Sequence, residues 1–176
     1  ETDEAFNTFE KIKISDLLVL NVDSDHLDYF KNLDNYKDAF YKVMKNVTDN
    51  LVINNDDLNI KSMKELKNPV SYGKDISADF KVQSPGNFIY ENNKYEIKSD
   101  IIGDHFKSNM LGAIILALLN GIEIKDSLNA IESFAGVKRR IELIGISKGV
   151  LIYDDYGHHP TEMEATIAAL KQQTES

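Results

Sequence analysis

Apolar and polar positions along the chain alternate between short dense runs and helical stripes. In "SDLLVLNVDSDHLDYF" the residues Leu17 to Val22 are almost all apolar, the pattern of a strand covered on both faces, as in a parallel sheet. An amphipathic helix is predicted from about Asn35 to Val47, with Ala39, Phe40, Val43 and Val47 on one face. "NLVINNDD" and "PVSYG" follow as short strands. From Ala78 to Ile102 short β-prone runs are broken at Pro85-Gly86 and Asn92-Asn93, which predicts a small antiparallel hairpin or meander.

Helical spacing returns at about Ser108 and runs through "NMLGAIILALLN" to Gly121, a residue suited to a left-handed helix end. A further helix over about Lys125 to Phe134 would turn Leu128, Ile131 and Phe134 to one side. "GVKRRIELIGISKG" reads as a loop and a strand with a turn at Lys148-Gly149, followed by a strand from Val150 to Tyr153. After Pro160 a last helix offers Ala165, Ile167, Ala168 and Leu170 for burial. The alternation predicts a doubly wound α/β fold, mostly parallel, with one small antiparallel unit. A domain division is expected between residues 147 and 148.

Four stretches carry more polar chemistry than packing requires. Asp23, Asp25, His26 and Asp28 follow the first apolar run, where open α/β sheets bind ligands, and oxygen-rich clusters of this kind suit Mg²⁺. A plain polar loop would look the same. Arg139 and Arg140 in "VKRRIE" suit bidentate contact with phosphate, or a solvated surface. In "GDHFKSNM" Asn109 has the donor and acceptor that match an adenine edge, while Ser108 or Asn109 capping a helix is the simpler alternative. "YDDYGHHPTE" sets Asp154, Asp155, Tyr156, His158 and His159 in a strand–turn–helix context, with Gly157 for the turn and Pro160 for the first helical turn. A structural turn does not demand that mixture.

Composition narrows the partners. The formal net charge is −9 and the pI is near 4.9, which argues against a general nucleic-acid or anionic-membrane binder while leaving room for a nucleotide in a local cleft. With no cysteine, disulfides, thiolate catalysis and zinc–thiolate sites are excluded, in keeping with a cytoplasmic protein. "ETDEAFNTFE" lacks the apolar core of a signal peptide, and "MLGAIILALLNGI" is too short to span a bilayer.

These residues together resemble the Mur ligases, the ATP-dependent amide-bond formers of peptidoglycan synthesis. The resemblance rests on "ETDEAFNTF", "NVDSDHLDYF", "GDHFKSNMLGAI", "FAGVKRRIELIG" and "YDDYGHHPTEMEATI", in family order over essentially the whole chain. It implies the later part of a central ATPase domain, residues 1–147, and the start of a Rossmann-like C-terminal domain, residues 148–176. It further implies Glu1 and His26 as Mg²⁺ ligands, Asn109 on adenine, Arg140 on the phosphates, Asp155 on the ribose and His158 near the substrates. Within the family the last motif is most similar to members joining L-alanine to UDP-N-acetylmuramate; a peptide-recycling relative is the nearest alternative. Phe106 stands where the family usually has a second asparagine, and Ala5 where it usually has a serine.

No G-x-x-x-x-G-K-[ST] phosphate loop occurs in the 176 residues. In the family that loop and the UDP-sugar domain come earlier in the chain, and most of the C-terminal domain comes later. The expectation is therefore a portion of a longer ligase, inactive alone. Two readings of other classes stay open on the residues: a metal-dependent hydrolase built from His26, His105, His158, His159 and the aspartates, and a non-catalytic fragment that binds nucleotide weakly.

Overall fold

A computed structural model describes residues 8–63 and 66–174. The chain begins with a short helix α1 (Thr8–Lys11) and then strand β1 (Ile14–Val19). Helices α2 (Leu27–Phe30) and α3 (Leu33–Lys45) lead to β2 (Val47–Asn54), α4 (Leu58–Lys61) and β3 (Val70–Gly73). The strands β4 (Phe80–Ser84), β5 (Asn87–Tyr90) and β6 (Asn93–Glu96) complete one six-stranded sheet, in chain order β1 to β6. The first four strands pair in parallel and the last three as an antiparallel meander.

Burial on both faces explains the dense apolar runs. On β2, Val52 turns to a core with Tyr72, Phe80, Phe88, Ile114 and Ile115, while its neighbours Leu51 and Ile53 turn to a second core with Val19, Phe30, Tyr36 and Met44. Side chains alternate across a strand, so a central strand with two covered faces has no polar side to show. The first core is closed by α5 (Asp104–Leu119) and the adjoining α6 (Ile124–Glu132).

Several boundaries differ from the periodicity. The strand expected over residues 17–22 is β1, and it leaves the sheet after Val19. Val22 is nonetheless only 1% exposed, because Asn54 and Asn59 donate amide hydrogens to the Leu20 and Val22 carbonyls, and Asp57 accepts from the Val22 N–H. Side chains replace the ladder there, so an apolar run outlasts its strand. The Asn32 side chain accepts from the Asn35 N–H, starting α3 two residues earlier than expected and freeing Val47 for β2. The helix expected from Ser108 starts at Asp104, after Gly103 at φ 110°. Its polar first turn hid it. The helix expected to reach Phe134 ends at Glu132, leaving Phe134 exposed.

A second, two-stranded sheet pairs β7 (Glu142–Ser147) with β8 (Val150–Asp154) through Lys148 and Gly149, both at positive φ. The division expected at residue 147 thus falls inside one hairpin. Helix α7 (Pro160–Thr174) follows and buries Ala169. Among the described residues no helix is long and apolar enough to cross a membrane.

Candidate active site

Three pieces of backbone converge on one rim: the loop after β1, the first turns of α5, and the segment that enters and leaves the β7–β8 hairpin. In the loop after β1, Asp23 and Asp25 each accept from the next residue's N–H, at 2.7 Å and 2.8 Å. His26 adopts a left-handed conformation at the start of α2, with Nε2 3.5 Å from the Asp25 carboxylate. Glu1, the other expected metal ligand, lies outside the described residues. Among the described residues no group of three or more histidines, aspartates or glutamates is arranged to hold a metal ion.

The alternative of Ser108 or Asn109 as a helix cap fails, since α5 begins at Asp104 and its N-cap is Gly103. Asn109 instead lies half-buried one helical turn after His105. The Phe106 ring packs 4.2 Å from the His105 ring, centroid to centroid, and against the first core. An apolar anchor therefore occupies the position of the expected second asparagine.

His105 connects this helix with the other segment. Burial pushes its pKa below the ordinary 6.5, the Asp155 and Asp104 charges pull it partly back, and Arg140 pushes it down. An unfolded His105 would take up a proton more readily than the folded one. Its contribution to stability is therefore present above about pH 6.5 and is lost as pH falls through the folded value. Urea unfolding at about pH 7.5 and about pH 5.5 is expected to show a smaller acid loss for His105→Gln than for the parent chain. Equal losses in the two proteins would contradict this assignment.

Backbone conformation around Arg140 is unusual. Arg139 and Ile141 on either side have φ of 60° and 49°, a region rarely occupied by a β-branched residue. Asp155 makes this possible: Oδ2 accepts from the Ile141 N–H at 2.8 Å, and Oδ1 accepts from the Gly157 N–H at 2.7 Å. A Cβ at Gly157 would lie 2.6 Å from that Oδ1, so a larger residue there would push the Asp155 carboxylate away from these two N–H groups. Arg139 and Arg140 both lie over the Tyr156 ring, at 4.9 Å and 5.7 Å from its centroid. Arg140 is 3.5 Å from Glu162, with both side chains about two-fifths exposed. Such a pair is weakly held and leaves the guanidinium open to an anion.

Glu162 is also the cap of α7. Its Oε2 accepts from the His158 and His159 N–H groups at 3.2 Å and 3.4 Å. The signal was present in "HPTE", since a glutamate three residues after a helix cap reaches back to it. The hydrogen bonds separate the two histidines chemically. His158 Nδ1 is 3.2 Å from the Tyr156 carbonyl; a carbonyl only accepts, so Nδ1 carries the hydrogen, and in the neutral ring the lone pair is then on Nε2. His159 Nε2 donates to the Ser24 carbonyl at 2.8 Å and Nδ1 accepts from the Thr161 N–H at 3.4 Å. Its two nitrogens are occupied.

Of the expected site residues, Arg140 and Asp155 lie near enough to His105 to act on its charge, His158 shares Glu162 with Arg140, and Asn109 lies one turn further along α5. His26 is on the adjacent loop, which Thr161 and His159 grip through Asp23 and Ser24. Thr161, Ser24 and the capping role of Glu162 were missed. The first two are contacts between residues more than 130 positions apart, which no local pattern reports.

The Mur ligase middle domain family model matches residues 6–117, and that of the Mur ligase glutamate ligase domain matches residues 139–176. A UDP-N-acetylmuramate–L-alanine ligase from Clostridium botulinum is 39% identical over 168 residues, covering 88% of this chain and 37% of that protein. The crystal structure of the alanine ligase MurC from Thermotoga maritima superposes with a TM-score of 0.78 at 26% identity, over 100% of this chain and 42% of that one. MurF ligase from Thermotoga maritima in complex with ADP shares the fold, with a TM-score of 0.68 at 22% identity, over 90% of this chain and 39% of that one. The chain thus spans about two-fifths of the length of these relatives.

Proposed function

Since the chain belongs to the Mur ligase family, with both of its matched segments contributing to one rim, we propose that it is the nucleotide- and substrate-contacting part of a longer ligase. That ligase would join L-alanine to UDP-N-acetylmuramate at the expense of ATP. The observation that carries the reading is that the second segment is bonded to the loop after β1 through Thr161 and His159, with Arg140 and Asp155 close enough to act on the charge of His105 on α5. A rim that collects an arginine, a carboxylate and a half-buried imidazole from two segments is suited to a nucleotide whose base and phosphates lie apart. The alanine assignment is supported by the named relative and by "YDDYGHHPTE".

The reaction begins when the lactyl carboxylate attacks the γ-phosphorus of ATP, expelling ADP and forming an acyl phosphate. The alanine amine then attacks the acyl carbon, loses a proton, and phosphate leaves as the amide forms. Asn109 would read the adenine. Asp155 uses one lone pair of each oxygen on backbone N–H groups, and a carboxylate has about four acceptor sites, so others remain for the ribose hydroxyls. Arg140 would bind the phosphates, where a planar fork matches the oxygens. His158, whose Nε2 lone pair is uncommitted, is better suited than His159 to accept the amine proton.

His26 and Glu1 are the proposed Mg²⁺ ligands. The imidazole beside the Asp25 carboxylate fits an ion that takes few protein groups and completes its shell with phosphate and water. Bound there, Mg²⁺ would neutralise charge on the transferring phosphoryl group. The hydrolase alternative has less support, because among the described residues no group of three or more histidines, aspartates or glutamates is arranged to hold a metal ion, and both nitrogens of His159 are occupied.

We assign the domain junction to the connection after α6, ahead of residue 139, where the second family match begins. Phosphate release by the complete ligase, supplied with ATP and UDP-N-acetylmuramate, tests the function. L-alanine is expected to give a kcat/KM at least about tenfold above that of the tripeptide used by recycling ligases. Equal or better use of the tripeptide would transfer the assignment to that relative. The 176 residues alone are expected to release no phosphate in the same assay. Substrate-dependent release by that chain would contradict its role as a part.

A further inference from the structure

Two hydrogen bonds between residues more than 130 positions apart lie side by side and join the two family segments. Thr161 donates its hydroxyl to Asp23 Oδ2 at 2.6 Å, and His159 donates Nε2–H to the Ser24 carbonyl at 2.8 Å. Asp23 and Ser24 belong to the loop after β1, and the other pair sits at the start of α7. A hydroxyl bond to a carboxylate is charge-assisted and short. The Thr161 hydroxyl is the foremost influence holding the Asp23 carboxyl below its ordinary pKa, despite some opposing burial.

Helix α7 touches the first segment a second time further along. Ala169 is 2% exposed, and its Cβ lies 3.1 Å from where a Cβ of Gly103 would be. Eight helical residues separate Thr161 from Ala169, about 12 Å along the axis. The Ala169 contact is apolar and has no direction, so by itself it lets the helix pivot. The paired hydrogen bonds at the other end fix the rotation.

We propose that Asp23 and Thr161, braced by His159 on the Ser24 carbonyl, form a clasp that docks the second segment on the first and sets the loop of His26 against the rim of Asp155 and His158. These are positioning residues: none needs to touch substrate. The clasp acts between segments joined by the connection of residues 133–138, which has Gly136 at φ 94°. Its value for ligation rests on the proposed function; the docking itself does not.

The absence of native cysteine makes a direct measurement simple. Spin labels at Lys94→Cys on β6 and Ser147→Cys at the end of β7, both exposed, report the distance between segments in the 176-residue chain by double electron–electron resonance. The parent chain is expected to give one narrow distance. Thr161→Val, a change at an exposed position, should shift the docked-to-undocked ratio about fivefold toward undocked, and Thr161→Ser should restore it. Asp23→Ala should loosen docking at least as much as Thr161→Val, because it also removes the acceptor of the Ser24 N–H, and adding Thr161→Val to it should go little further.

His159→Ala should loosen docking where His159→Gln, which keeps a donor for the Ser24 carbonyl, loosens it less. A broad distance in the parent, an unchanged distance in Thr161→Val, or fully additive effects of the Asp23 and Thr161 changes would overturn the clasp. Nucleotide is absent throughout, so the two ideas fail separately. A docked chain whose complete ligase ignores L-alanine would remove the functional reading and leave the clasp. An active ligase whose segments stay docked in Thr161→Val would do the reverse.

Discussion

Replacing Arg140 by lysine in the complete ligase is expected to lower kcat for alanine addition by about a hundredfold, with little change in the KM for L-alanine. Lysine keeps the charge, so the loss would measure geometry. Arg140 stands between two residues with left-handed backbone, at φ 60° and 49°, and that conformation is held by Asp155 accepting the Ile141 N–H. Tyr156 lies beneath the guanidinium. A planar cation carried on a stiff backbone over a ring presents a fixed fork; an ammonium on four methylenes presents a mobile point charge. Stabilisation of charge that appears only as the phosphoryl group transfers should register in kcat. A kcat within about threefold of the parent would mean that Arg140 serves charge balance at the surface and nothing more.

The same segment shows what the amino-acid sequence revealed about the fold and the site, and what it withheld. The parallel sheet was readable because a strand with two covered faces, such as β2 with Leu51, Val52 and Ile53, has no polar alternation. The meander was readable from Pro85-Gly86 and from the asparagines at its second turn, which lies at Glu91 and Asn92, both at positive φ. Helix α5 announced itself through Met110 to Leu119 and concealed its first turn, since "DHFK" has no apolar stripe and its cap is the backbone of Gly103. Val22 ends an apolar run that reads as strand, although its burial goes with side chains that bond to its backbone.

At the site, residue types were legible and their partners were not. Aspartate, histidine and threonine at residues 23, 159 and 161 could each have capped, solvated or bridged; chain folding alone brings Thr161 to Asp23. Assigning an imidazole nitrogen as donor or acceptor requires its neighbours. "HH" contains no hint that His159 is occupied on both sides while His158 keeps a lone pair. The left-handed Ile141 was likewise invisible, as β-branched residues seldom adopt that conformation and nothing local requests it.

Affinity for MgADP and for its 2′- and 3′-deoxy analogues, measured by titration calorimetry on the complete ligase, tests most directly whether one nucleotide is held by both segments. Asn109 is on α5, within the first family match, and Asp155 follows β8, within the second. Asn109→Ala is expected to weaken MgADP about tenfold through the lost base contact, equally for ADP and its deoxy analogues. The parent should prefer ADP over at least one deoxy analogue by about tenfold, a hydroxyl–carboxylate bond being charge-assisted, and Asp155→Ala should abolish that preference. A change in preference cannot come from loosening of the loop alone, because a loosened loop affects ADP and deoxy-ADP alike. Unaltered MgADP affinity in Asn109→Ala, or a ribose preference that survives in Asp155→Ala, would contradict a nucleotide site shared between the two segments.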